Sequence, residues 1–117
     1  MTAAAPVLAW TGDLFFRAKI EATARALGIP LQVSAAAAAP AGGAFAGCIV
    51  DLDSIGAGGL ARAVEVAAGH PTVGFLSHVN VELAQRARAA GIGEVMPRSR
   101  FSAELPRILE RLRGGGT

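Results

Sequence analysis

The chain has 117 residues, 52% of them apolar and 17% charged, with a formal net charge of +2. That describes one domain with enough apolar surface for a packed core, and too small a charge excess to argue for nucleic acid. No apolar run approaches the roughly 20 residues that a membrane-spanning helix needs. The start, Met1-Thr2-Ala3-Ala4-Ala5, lacks the cationic region of a signal peptide, and the single cysteine, Cys48, lies in a strand-like run and reads as core. These features together predict a cytoplasmic protein that binds neither nucleic acid nor membrane.

Strand and helix patterns alternate along the chain. Pro6-Val7-Leu8-Ala9-Trp10 is a short apolar run, read as the first strand. Residues 13–27 follow with helical spacing, Phe16, Ile20, Ala24 and Leu27 sharing a face, Asp13 placed to cap the start and Gly28 to end it. Pro30-Leu31-Gln32-Val33 reads as the second strand. Ser34 to Gly43 is an alanine run broken by Pro40 and two glycines, which predicts a short or irregular connection in place of a firm helix. The third strand is 48–52, followed by a helix of about 59–69 with Leu60, Val64, Ala67 and Ala68 inward. Thr72-Val73-Gly74-Phe75-Leu76 is the fourth strand. Asn80 is placed to cap a helix running to Ala90, with Leu83, Ala84 and Ala87 inward and Gly91 as its stop. Glu94-Val95-Met96 is a short fifth strand. The last helix begins at Ser102, with Phe101, Leu105, Ile108, Leu109 and Leu112 on one side. Five strands alternating with four or five helices predict a parallel sheet covered on both faces, within one domain spanning 6–113 and flanked by flexible tails at 1–5 and 114–117.

The segment Ala46-Gly47-Cys48-Ile49-Val50-Asp51 is the most informative. A buried central strand delivers a carboxyl group to the carboxyl edge of the sheet, where open α/β sheets place their chemistry. Asp53 and the glycine-rich run Ile55-Gly56-Ala57-Gly58-Gly59-Leu60 follow directly. Gly56-Ala57-Gly58-Gly59-Leu60-Ala61 formally fits a dinucleotide fingerprint, but the turn after the strand is too long and no acid lies about 20 residues on. Asp51, Ser77 and His78 are the residue types of a hydrolase triad, but adjacent residues at a strand end point to opposite sides.

With the run Thr72-Val73-Gly74-Phe75-Leu76-Ser77-His78 and the stretch Arg88-Ala89-Ala90-Gly91-Ile92-Gly93-Glu94-Val95-Met96-Pro97-Arg98-Ser99-Arg100-Phe101, the chain resembles a bacterial response-regulator receiver domain of the chemotaxis-regulator type from Val7 to about Leu112. The resemblance implies a flavodoxin-like doubly wound sheet of order 2-1-3-4-5. It also implies a mechanism in which two acids after the first strand and the acid of the third strand hold Mg²⁺ while that acid attacks a phosphoryl group. A hydroxyl after the fourth strand and a lysine after the fifth then hold the phosphoryl oxygens. Asp51 matches the phospho-acceptor, Ser77 the hydroxyl, and Asp53 the position whose carbonyl reaches the metal. The acidic pair falls on Thr11 and Gly12, with Asp13 one residue late. The lysine position falls on Arg98, with Ser99 where a proline is usual. The resemblance also implies an aromatic residue on the fifth strand that follows the hydroxyl and relays the change to partners, a position that falls on Val95, and His78 stands where a small residue usually leaves room for the phosphodonor.

Mg²⁺ is a hard cation that demands oxygen ligands in near-octahedral geometry, and two of its three carboxylates are missing. The reading is therefore a stand-alone, degenerate receiver, a pseudo-receiver that signals by protein contact, is not an enzyme, and needs no cofactor. Asp51 is expected to be paired internally, with Arg98, His78 or both in the space of metal and phosphate; any metal would fall to Asp13, Asp51 and Asp53. The arginines clustered on the fourth and fifth helices make the face of those helices and the fifth strand the expected partner surface, a homodimer included. The competing reading is a working response regulator, phosphorylated on Asp51 by a histidine kinase with Mg²⁺.

Overall fold

The computed structural model describes residues 5–35, 43–77 and 79–114. Five parallel strands, β1 (Val7–Trp10), β2 (Leu31–Ser34), β3 (Gly47–Asp51), β4 (Thr72–Leu76) and β5 (Glu94–Pro97), form one sheet in the order β2-β1-β3-β4-β5. Four helices connect them: α1 (Leu14–Leu27), α2 (Leu52–Ala67), α3 (Val81–Ala90) and α4 (Arg98–Arg113). The flavodoxin-like order is the expected one. The register sets Trp10 beside Val50 and Asp51 beside Phe75, so the ends of β1, β3 and β4 share one edge.

Alternation along the strands splits the core in two, because successive side chains in a strand face opposite ways. Val7, Ala9, Ile49, Val73 and Phe75 face α1 and α4, against Phe16, Ile20, Phe101, Leu105 and Ile108. Phe75 stacks on Phe101 at 4.1 Å between ring centroids and lies 4.9 Å from Phe16. Trp10, Val50 and Leu76 face α2 and α3, against Leu60, Ala63, Leu83 and Ala87. Leu8, Cys48, Phe45 and Val66 form a smaller cluster. Cys48 is buried in it as expected, and desolvation pushes its thiol up to about 11, a rise that a hydrogen bond with Thr72 partly offsets. No helix among the described residues is long and apolar enough to cross a membrane.

Several boundaries differ from the sequence expectation. α2 begins at Leu52, not near 59, because the Asp51 side chain accepts a hydrogen bond from the Ser54 N–H and so caps a first turn directly after β3. That turn is separated from the rest of α2 by Gly56, at φ 63 and ψ −175, a backbone conformation that only glycine adopts without strain. α4 begins at Arg98, not Ser102, entering from the extended Pro97. Asn80 stands at the start of α3 but makes no side-chain capping hydrogen bond; its Nδ2 donates to Asp53 Oδ1. Asp13 caps α1 through Phe15 N and Phe16 N, and Gly28 and Gly91 end α1 and α3, all as expected. Most of the predicted irregular connection, 36–42, lies outside the described residues, and so do the predicted tails apart from Ala5 and Gly114.

Candidate functional site

The site lies at the carboxyl edge of the sheet between β1 and β3. From β1 the chain passes to β2 on one side and β3 lies on the other, so the turns after the two strands diverge and leave a crevice there. Asp51, the last residue of β3, is 1% exposed; Thr11, directly after β1, is 3% exposed.

A closed set of hydrogen bonds surrounds Asp51. The Thr11 hydroxyl donates to Asp51 Oδ2 at 2.7 Å, and the Ser54 hydroxyl donates to the same oxygen at 2.7 Å. The Ser54 N–H donates to Oδ1 at 3.3 Å. Both hydroxyls are held in turn from the β1 side: Gly12 N donates to Ser54 Oγ at 3.1 Å, and Asp13 N donates to Thr11 Oγ1 at 3.1 Å. Two hydroxyl protons on a single carboxylate oxygen are charge-assisted bonds at short range, the strong kind.

The other acids of the edge are engaged elsewhere. Asp13 Oδ1 caps α1, at 2.9 Å from Phe15 N and 3.1 Å from Phe16 N. Its second oxygen, Oδ2, takes Arg98 Nη2 at 2.7 Å, and the Arg98 guanidinium also sits 4.8 Å from the centre of the Phe16 ring. Asp53 accepts from Ser77 N at 2.6 Å and from Asn80 Nδ2 at 3.3 Å, tying the first turn of α2 to the β4–α3 loop. Among the described residues, no three of His, Cys, Asp and Glu converge as a metal-binding group would require. Two cavities flank the edge. One of about 320 Å³ is lined by Asp53, Gly56, Asn80 and Arg86, and one of about 230 Å³ by Leu76, Ser77, Val81 and Met96; neither is lined by Asp51.

The sequence-predicted residues are thus divided. Thr11, Gly12 and Asp51 come together. Asp53 and Ser77 meet each other, through the backbone N–H of Ser77. Arg98 reaches Asp13, a partner 85 residues away, and leaves Asp51 to hydroxyl donors. His78 lies outside the described residues. Sequence reasoning missed Ser54. Its signal is the spacing Asp51-x-x-Ser54, an acid at a helix cap with a small hydroxyl three residues on, which brings the hydroxyl back over the carboxyl group.

Solved structures share the overall fold. The response regulator receiver protein from Pseudoalteromonas atlantica superposes with a TM-score of 0.72 at 17% identity, covering 96% of this chain and 100% of that one. The fold is that of a response regulator receiver. The receiver protein from Sinorhizobium medicae WSM419 gives a TM-score of 0.67, also at 17% identity, with 97% and 98% covered. No protein-family model matches the chain, and no curated protein does. At 17% identity the likeness is one of architecture; what the receiver fold does in this chain rests on the residues at its carboxyl edge.

Proposed function

We propose that this chain is a pseudo-receiver, a signalling module that works by protein contact and has no Mg²⁺-dependent phosphorylation of Asp51. One observation carries the reading: Asp51 Oδ2, buried at the sheet edge, already holds two hydroxyl hydrogen bonds at 2.7 Å. A carboxylate that attacks phosphorus needs an accessible oxygen, and Asp51 is 1% exposed. It also needs positive charge to offset that of the incoming phosphoryl group.

The residues at the edge do not suit a divalent cation. Mg²⁺ is usually held by one or two carboxylates in a strict octahedral shell. Beside Asp51 stand Thr11, Gly12 and Ser54, which are neutral, while Asp13 carries its own counter-charge in Arg98 and Asp53 caps the β4–α3 loop. The hydroxyl protons of Thr11 and Ser54 supply the stabilisation a metal would give, without adding charge. The module is a binding protein and not an enzyme, works in the cytoplasm without a cofactor, and offers the α3–β5–α4 face, with the Leu76, Val81 and Met96 groove, to a protein partner.

The test is acetyl phosphate with Mg²⁺ followed by intact mass, alongside a beryllofluoride titration read by amide chemical shifts. The expected result is an unmodified mass and no shifts around Asp51. A phosphoryl adduct that disappears in Asp51→Asn overturns the proposal and establishes a working response regulator that a histidine kinase could serve.

A further inference from the structure

The start of α3 stands between two cavities. On its α2 side lies the cavity of about 320 Å³, to which Asp53, Asn80, Glu82 and Arg86 bring charged and polar groups. On its β5 side lies the groove of about 230 Å³, whose lining is largely apolar: Leu76, Val81, Ala84, Met96 and Pro97. Asn80 borders both. The helix end therefore has room to shift either way, which a close-packed core does not give. Little packing holds it in place. Val79 is 73% exposed and Val81 58% exposed, and the first side chains of α3 to enter the core are Leu83 and Ala84.

What holds it is one carboxylate. Asp53, in the first turn of α2, accepts from Ser77 N at 2.6 Å and from Asn80 Nδ2 at 3.3 Å. The first is a short, charge-assisted bond of the strong kind. Asn80, at the cap position of α3, makes no side-chain capping bond that would anchor the helix start independently. Asp53 pulls from the α2 side, away from the groove. Without that pull the two neighbouring spaces are unequal for a valine. The α2-side cavity presents two acids and an arginine. The groove presents Leu76, Ala84 and Met96, and the hydrophobic effect favours moving Val79 and Val81 out of water towards them.

We propose that Asp53 is the latch of a two-position switch. With Asp53 engaged, the groove beside Met96 stands open; with Asp53 released, the start of α3 tips toward β5 and fills the groove with Val79 and Val81. The second position is autoinhibitory, because the chain then occupies the groove offered to a protein partner. That purpose rests on the docking face assigned above. The movement itself belongs to the isolated chain and does not depend on whether Asp51 takes a phosphoryl group, so it stands or falls apart from the pseudo-receiver reading.

NMR of the full chain with labelled valine and methionine methyls tests it, with a soluble gadolinium chelate as the probe of exposure. In wild type the chelate is expected to broaden the Val79 methyls, and the Ser77 amide to be protected from exchange. Asp53→Ala should speed Ser77 exchange by roughly tenfold or more, remove most of the Val79 broadening and shift the Met96 methyl. Asp53→Asn keeps an acceptor oxygen for Ser77 N and should restore the broadening. Glu82→Gln removes the same charge beside the same cavity and should change neither signal. Adding Val79→Asp to Asp53→Ala should return the Met96 methyl toward its wild-type shift, because a carboxylate does not enter an apolar groove unpaired. Asp53 and Val79 are both exposed, so the thermal midpoint should stay near wild type. Val79 methyls that remain in water in Asp53→Ala overturn the proposal, as does a Glu82→Gln protein that closes its groove.

Discussion

Thr11→Val tests the hydroxyl network directly, because it keeps the shape of the side chain and removes only the hydroxyl. The Thr11 hydroxyl makes two bonds: it donates to Asp51 Oδ2 at 2.7 Å and accepts from Asp13 N at 3.1 Å. The first is short, charge-assisted and buried, and no water reaches the site to replace it, since Thr11 and Asp51 are both within 3% of full burial. A hydrogen bond to a charged group contributes about 1.5–3 kcal/mol, and the loss of a buried partner falls in the same range. The second bond is neutral and only part-buried, so it adds little. The expected cost is therefore about 1.5–3 kcal/mol. With an unfolding entropy of about 2.1 cal/mol/K per residue, a chain of this length loses stability at about 0.25 kcal/mol/K near its midpoint, so the midpoint should drop by about 6–12 °C. Urea titration with a shared m-value measures the free energy, and Thr11→Ser should recover most of it. Ser54→Ala removes the other hydroxyl, but Ser54 is only half-buried and water can stand in for it, so its cost should be the smaller of the two. A neutral Thr11→Val, or a Ser54→Ala that costs more, would refute the picture of a buried carboxylate satisfied mainly by Thr11.

Gly47→Ala should destabilise the fold by about 1–3 kcal/mol, because an added Cβ would sit 2.9 Å from Leu112 Cβ and 3.1 Å from the Pro71 carbonyl oxygen, neither of which can rotate away; chemical denaturation that finds it neutral would mean the β3–α4 contact is looser than described. Cys48 provides a pH dependence. Burial raises its thiol from 9.0 to about 11, so the folded state holds the proton longer than the unfolded one. Stability is then level below pH 9 and falls between pH 9 and 11, by about 2–3 kcal/mol at about 1.4 kcal/mol per unit, and Cys48→Ala should remove that part of the slope. Gly12→Asp combined with Ser54→Ala removes one of the two hydroxyl donors from Asp51 Oδ2 and sets a second acid beside it, since Gly12 N lies at the Ser54 hydroxyl. Calorimetry should detect millimolar Mg²⁺ binding in that variant and none in wild type; equal binding in both would defeat the electrostatic argument.

The hydrogen bonds at the carboxyl edge have a simple physical content. A carboxylate at the end of a buried strand must be compensated, since an unpaired buried charge costs far more than the fold can spare. A metal does so with two positive charges and then requires further acids to hold it. Hydroxyl donors need none. With Thr11 and Ser54 on Asp51, the neutral Gly12 beside it is consistent with the same solution, and Asp13 is left to cap α1 and hold Arg98. The second bond also ties the start of α4 to the start of α1 at the same edge.

Periodicity by itself determined the alternation of strands and helices, the inward residues of α1, α3 and α4, and the burial of Cys48. These depend on spacing within one element, where a two-residue or 3.6-residue repeat fixes which side chains share a face. Residue identity, likewise legible in the sequence, put the uncharged Thr11 and Gly12 directly after β1. Tertiary structure alone decided which groups surround Asp51 and Asp13. Thr11 meets Asp51 across 40 residues and Arg98 meets Asp13 across 85, and such partners are chosen by the register of β1 on β3 and the packing of α4 on α1, which no local pattern encodes. The early start of α2 belongs to the same class. Whether Asp51 faces a ligand or turns its oxygens to its own helix cap depends on which donors lie within 3 Å, and only the assembled edge brings Thr11 and Ser54 that close.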